Sequence, residues 1–220
     1  MKLALQICSE LEWESTKNIF EIGNEKLKQQ PFGEWFEHVV GKHRCIFYQS
    51  GDTKTRSAAA CQFAIDQWQP RGIINFGTCG GVAENIQKLD ILMADRTVQY
   101  DCIIRFGEIP ELFYKPMITV IDTSWVDISE VSRRIYKGTI ASADQDLNAA
   151  WRKRLANANV LGADWESGAI SKVCELNKLK FLVMRGVTDV PGDTQASDYE
   201  DNTPILMKSL LQILTQMRFP

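Results

Sequence analysis

Three acidic residues stand beside apolar runs, where an unpaired carboxylate is destabilising. Glu166 lies in GADWESGAI, between Trp165 and a run of small and apolar residues; Asp189 closes the β-rich run FLVMRGVTDV; Glu12 sits in SELEWES, after the apolar opening LALQIC. A carboxyl held in a partly dry pocket keeps its proton and can serve as a general acid. An ionised carboxylate accepts two hydrogen bonds and so suits a sugar diol. Each residue also has a structural reading. An aspartate after a buried strand forms turns, and Ser9 with Glu12 spells the capping box S-x-x-E. Glu166 in a first helical turn favours the helix dipole by about 0.3–1 kcal/mol.

Two further stretches have the composition of ligand contacts. In GIINFGTCGGV (72–82), a strand runs into Gly77, Thr78, Cys79, Gly80 and Gly81. Glycines there let backbone N–H groups approach a ligand, and Thr78 adds a hydroxyl. The stretch lacks the Lys-Ser/Thr of a phosphate-binding P-loop and the spacing of a dinucleotide fingerprint. In GDTKTR (51–56), Lys54 and Arg56 stand at a helix start. They form either a possible anion site or two solvated cations paired with nearby acids. His38 and His43 precede or begin a strand, which suits surface or structural roles.

The elements that must position these residues alternate between short apolar runs and longer segments of helical period, the pattern of an α/β protein with a parallel or mixed sheet. Strands are expected at 2–8, 43–50, 72–77, 90–100, 137–142 and 180–188. Helices are expected at 10–29, 54–68, 127–135, 146–156, 166–177 and 203–217. Ligands in such sheets bind beyond the carboxyl ends of the strands, where the acids and the glycine-rich stretch fall. The segment 105–125, with Pro110 and Pro116 among aromatics, is the least regular and reads as a binding loop. No linker divides the 220 residues, so one domain spanning 1–220 is expected.

A content of 45% hydrophobic and 24% charged residues is that of a globular protein. The net charge of −3 advertises neither nucleic acid nor an anionic membrane as partner, which leaves a small molecule. Six scattered cysteines without a CxxC pair read as reduced thiols in a cytoplasmic protein, with no zinc site or other metal cluster. The opening MKLALQIC is too short for a signal sequence and runs at once into Glu10, Glu12 and Glu14. No apolar stretch is long enough to span a membrane.

In order and spacing, these blocks resemble the nucleoside phosphorylase/nucleosidase superfamily, and most of all its methylthioadenosine/S-adenosylhomocysteine nucleosidases. FGTCGG resembles the family's glycine-rich turn, IASADQDL (140–147) its IASGD block, ADWESGAIS its VDMEA block and MRGVTDV its VRAISDV block. The likeness runs over about residues 1–215. It implies a three-layer αβα sandwich around a central mixed sheet, a purine nucleoside as substrate, no cofactor and a homodimer. By position it makes Asp189 the acid that protonates the purine at N7, Glu12 the base that activates water, and Glu166 the holder of the ribose 2′ and 3′ hydroxyls. Thr78, Cys79 and Gly80 would line the site near ribose and base, with Trp165, Asp146 and Leu147 also at the substrate. Arg185 takes a structural or orienting role, and Asp144 orients neighbours or faces the base.

Phosphorylases of this superfamily carry an arginine two residues before the glycine-rich turn; here that position is Asn75. Where they have a phosphate motif after the first strand, this chain has SELEWES, whose glutamates repel phosphate. Water is therefore the expected nucleophile. Lys54 and Arg56 keep a phosphate-dependent phosphorylase open, and a non-catalytic nucleoside-binding module is a third reading. Asp146 stands where the nucleosidases stack a phenylalanine on adenine, and Trp165 offers an aromatic wall in its place. The shortened loop with Phe106, Phe113 and Tyr114 is where family members recognise the 5′ substituent.

Overall fold

The computed structural model describes residues 2–103, 114–190 and 194–219. Their strands form one mixed sheet between two helical layers, the expected three-layer arrangement. β1 (Lys2–Ile7) lies parallel to β4 (His43–Gln49) on one side and to β5 (Gly72–Gly81) on the other. Beyond β4 the sheet continues through β3 (Gly33–Val40) to β2 (Lys28–Gln30). Beyond β5 it curls. β10 (Lys180–Asp189) pairs with β5 and with β6 (Ile91–Gln99), β6 with β8 (Ile135–Ser142), β8 with β9 (Val160–Asp164), and β9 returns to β5. This half of the sheet closes on itself, and β7 (Ile118–Val120) flanks β6.

The period-two alternation of buried strands sorts their side chains between the two helical layers. Leu3, Leu5 and Ile7 pack with Leu206, Leu210 and Leu214 of α5 (Gln195–Gln216), beside α1 (Glu10–Ile19). Ala4 and Cys8 face the opposite layer, with Ala60, Cys61 and Ala64 of α2 (Lys54–Trp68) and Ile170 and Cys174 of α4 (Ser167–Leu176). α3 (Ala149–Ala156) packs beside β9 and is capped by Asn148, whose side chain accepts from the Trp151 N–H at 2.9 Å. Among the described residues no helix is long and apolar enough to cross a membrane.

The structure departs from the expected elements where local polar chemistry or pairing overrides pattern. No helix forms at 127–135: Asp127 Oδ1 accepts from the Ser129 N–H at 2.8 Å, and the Asp127 backbone bridges to Arg218. Side chains that bond their own backbone compete with helix in this way. The first helix ends at Ile19 because Glu21 turns to φ 51°, and the following residues enter the β2–β3 hairpin. The glycine-rich stretch extends β5 to Gly81, where Gly80 and Gly81 pair with β9. β9 itself, VLGAD, carries too little apolar signal to be expected. The last helix begins eight residues earlier than expected, at Gln195 instead of 203, and carries Pro204 within it.

A buried polar network underlies the strand ends. Arg185 on β10 is 1% exposed. Its Nε donates to Asp164 Oδ2 at 2.7 Å, its Nη1 to the Asn75 carbonyl at 3.2 Å, and its Nη2 to the Asn75 side-chain oxygen. Asn75 in turn donates to the Gln6 carbonyl at 3.0 Å. Breaking a buried pair strands the surviving charge, at a cost of about 3–5 kcal/mol. Arg185→Met is therefore expected to lower the unfolding free energy by about that amount in urea titration, whereas a change within about 0.5 kcal/mol, as at ordinary surface sites, would contradict it.

Candidate active site

A cavity of about 690 Å³ opens at the carboxyl ends of the strands. Its wall comes from the start of α1, the end of β5, the loop after β8, the β9–α4 junction, the end of β10 and the start of α5. Seven carboxylates line it: Glu10, Glu12, Asp52, Asp146, Asp164, Glu166 and Asp189. No lysine, arginine or histidine does so among the described residues.

Glu12 completes the capping box and lines the cavity at once. Ser9 caps α1 by accepting from the Glu12 N–H at 3.3 Å, and Glu12 Oε2 accepts from the Ser9 N–H at 3.1 Å, so the capping box forms. The other oxygen reaches across to β5, where Oε1 accepts from Thr78 N–H at 2.6 Å and Thr78 Oγ1 at 2.8 Å. A Cβ on Gly77 would lie 2.8 Å from that oxygen, so glycine is what leaves room for the carboxylate. Burial pushes the Glu12 carboxyl above its ordinary range, against the opposing pull of Arg185 and the Thr78 donors. A base so placed is stronger than a solvated glutamate.

Glu166 occupies the N-cap position of α4, yet its side chain makes no cap hydrogen bond. Asp164 takes that duty: its Oδ1 accepts from the N–H groups of Glu166 at 3.2 Å and Ser167 at 3.1 Å, and from Ser142 Oγ at 2.5 Å. Ser142 Oγ also accepts from the Gly168 N–H at 2.8 Å. With the helix end satisfied, the Glu166 carboxylate is free for the cavity it lines. Burial, then the charges of Asp164 and Glu12, drive it well above the usual carboxylate range.

Asp189 is 5% exposed at the end of β10. Its Oδ1 accepts from Thr188 Oγ1 at 2.5 Å, whereas its buried Oδ2 has no hydrogen-bond partner. Burial raises this carboxyl too, which favours the protonated form, a donor. An orphaned buried polar atom in a cavity wall is a place for a ligand atom.

Of the residues singled out in the sequence, Glu12, Glu166, Asp189, Trp165, Thr78, Cys79, Gly80, Asp146 and Leu147 all line this one cavity. Trp165 is half-buried there. Lys54 and Arg56 do not line it. Lys54 Nζ pairs with Asp101 at 2.5 Å, and Arg56 Nη2 donates to the Phe32 carbonyl at 3.0 Å. Asp144 is exposed and accepts from the Lys54 N–H at 2.8 Å. His38 packs on Phe20, and His43 is buried edge-on against Phe219. Phe106 and Phe113 lie outside the described residues. Asp164, Asp52, Tyr100 and Tyr199 join the wall without having been expected there. Asp164 was legible as the second acid of the ADWE block; the other three carry no local signal.

Comparison with known proteins agrees with this architecture. The family description "Phosphorylase superfamily" matches residues 12–217. A 5′-methylthioadenosine/S-adenosylhomocysteine nucleosidase of Haemophilus influenzae is 28% identical over 193 residues, covering 83% of this chain and 84% of the relative. One from Tolumonas auensis is 24% identical over 197 residues, covering 84% and 85%. In the solved structures, the S-adenosylhomocysteine nucleosidase of Streptococcus pyogenes in complex with 5-methylthiotubericidin superposes with a TM-score of 0.80 at 23% identity, covering 98% of this chain and 95% of that one. The match from Glu12 to Met217 takes in the whole cavity wall except Ser9, Glu10 and Leu11, and the chain belongs to the phosphorylase superfamily.

Proposed function

We propose that the protein is a nucleosidase that hydrolyses the N-glycosidic bond of a purine nucleoside, the class that includes methylthioadenosine and S-adenosylhomocysteine. The observation that carries this reading is the acidic cavity wall, without a cation among the described residues, in which Asp189 and Glu12 are both held above their ordinary proton affinity. The names of the curated relatives support it.

Cleavage places negative charge on the departing base and positive charge on the ribosyl carbon. Asp189 gives its proton to N7 as the glycosidic electron pair moves into the purine, so the base leaves neutral. Glu166 bonds the 2′ and 3′ hydroxyls, and the nearby Glu12 carboxylate stabilises the cationic ribosyl centre. Water adds to that carbon and loses its proton to Glu12, whose Oε1 is steadied by Thr78. Phosphate entering the same space would meet carboxylates at a cost of about 1–4 kcal/mol per close contact. Five of the six cysteines are buried and all six are free, which supports a cytoplasmic setting; a homodimer, read from the family resemblance, is testable by sedimentation.

Asp189→Asn is expected to lower kcat for base release by roughly 10²–10⁴ with a much smaller change in KM, because the acid acts in the transition state; a loss confined to KM would remove it from that role. The raised Glu166 carboxyl predicts a stability effect of defined sign. Its folded state binds the proton more tightly than the unfolded chain does, so stability is lost as pH rises from the ordinary carboxylate range through the folded value. Glu166→Gln is therefore expected to melt above the parent at pH about 7–8, the gap closing as pH falls to about 4. A variant that melts below the parent at neutral pH would contradict this origin of the shift.

A further inference from the structure

Part of the cavity wall beyond the three acids is polar. Ser9, Asp52 and Tyr199 line it. Tyr199 Oη donates to Ser9 Oγ at 2.9 Å, and the same Ser9 oxygen accepts from the Glu12 N–H at 3.3 Å. Two hydroxyls that share one proton between them keep the other to donate outward. Asp52, exposed at the turn before α2, brings only acceptors. Burial raises Tyr199 and Glu166 most, followed by the charge of Glu12 at Tyr199 and of Asp164 at Glu166, and Asp52 adds a smaller push to each.

With the base assigned to Asp189, the diol to Glu166 and the water to Glu12, the polar lining left to meet the 5′ carbon includes Ser9, Tyr199 and Asp52. The hydroxyl pair offers a proton there and Asp52 offers lone pairs, a combination that a 5′-hydroxyl satisfies in both senses. An alkylthio group satisfies neither well and leaves Asp52 without a donor. An anionic 5′ group meets the Asp52 charge head on.

We propose that Ser9, Tyr199 and Asp52 form a 5′ subsite selecting a hydrogen-bond-donating substituent, a hydroxyl foremost, over an apolar alkylthio group, and that Asp52 sets this preference. The proposal rests on the nucleosidase reading and narrows its substrate. A site built to bond a substrate hydroxyl rejects the analogue that lacks it far more strongly than an apolar pocket rejects an extra methylene.

The test compares kcat/KM for nucleosides of one purine that carry 5′-hydroxyl, 5′-amino, 5′-methylthio or 5′-carboxylate groups, with the intact protein and with Asp52→Leu. The intact protein is expected to favour the 5′-hydroxyl over the 5′-methylthio compound by about tenfold or more, with the carboxylate poorest. A 5′-amino compound ranking above the hydroxyl would assign the subsite to a cationic donor and overturn the hydroxyl as its foremost ligand. Asp52→Leu is expected to shrink the ratio of kcat/KM for the hydroxyl over the methylthio compound about tenfold. A parent preference for the methylthio group, or an equal loss on both substrates, would overturn the proposal. Should no nucleoside in the panel be cleaved, the reaction reading fails separately. Calorimetric binding of the same compounds then decides the 5′ preference, with the same order expected and the reverse order contradicting it.

Discussion

A guanidinium that is 1% exposed at the centre of a sheet must be answered on every side, and Arg185 is answered by Asp164, by both oxygens of Asn75 and by the Met184 carbonyl. The site grows outward from that pairing. Asp164, fixed by Arg185, takes over the capping of α4 and so releases Glu166. Asn75 is fixed by the same guanidinium and in turn donates to the Gln6 carbonyl. The Arg185 cation is thus held beneath the wall, where it moderates Glu12 and Glu166 without lining the cavity.

What remains facing the ligand is negative potential in a partly dry enclosure. Three carboxyl groups are raised there, chiefly by burial. The surrounding fold tolerates this because its cores on both faces of the sheet are continuous and its backbone polar groups are paired through the strands. Local rules broken at one place and compensated elsewhere are the usual mark of a working site. That potential suits a reaction in which positive charge develops on a sugar carbon.

The acids of the site were legible in the sequence because each ends or follows an apolar run, and a carboxylate in that position calls for a partner. Glu12 shows the limit of such reading. Its capping-box pattern and its place in the cavity looked like alternatives, yet one oxygen serves each. The α/β alternation and six strands of the sheet, β1, β4, β5, β6, β8 and β10, were equally plain. Pairing partners far apart in the chain were not. β9 exists because β8 and β5 offer edges to VLGAD, and Tyr199 reaches Ser9 across 190 positions. Lys54 and Arg56 looked like an anion site until tertiary structure brought Asp101 and the Phe32 carbonyl to them.

On the proposed reading, Glu12 as base and Asp189 as acid, in a wall whose described residues carry no cation, make water the attacking group. The sugar released from a purine nucleoside in phosphate buffer tests this most directly, with its anomeric carbon identified by nuclear magnetic resonance. Free ribosyl product, formed at a rate that added phosphate leaves unchanged, is predicted. A ribosyl phosphate, formed at a rate that rises with phosphate, would contradict it.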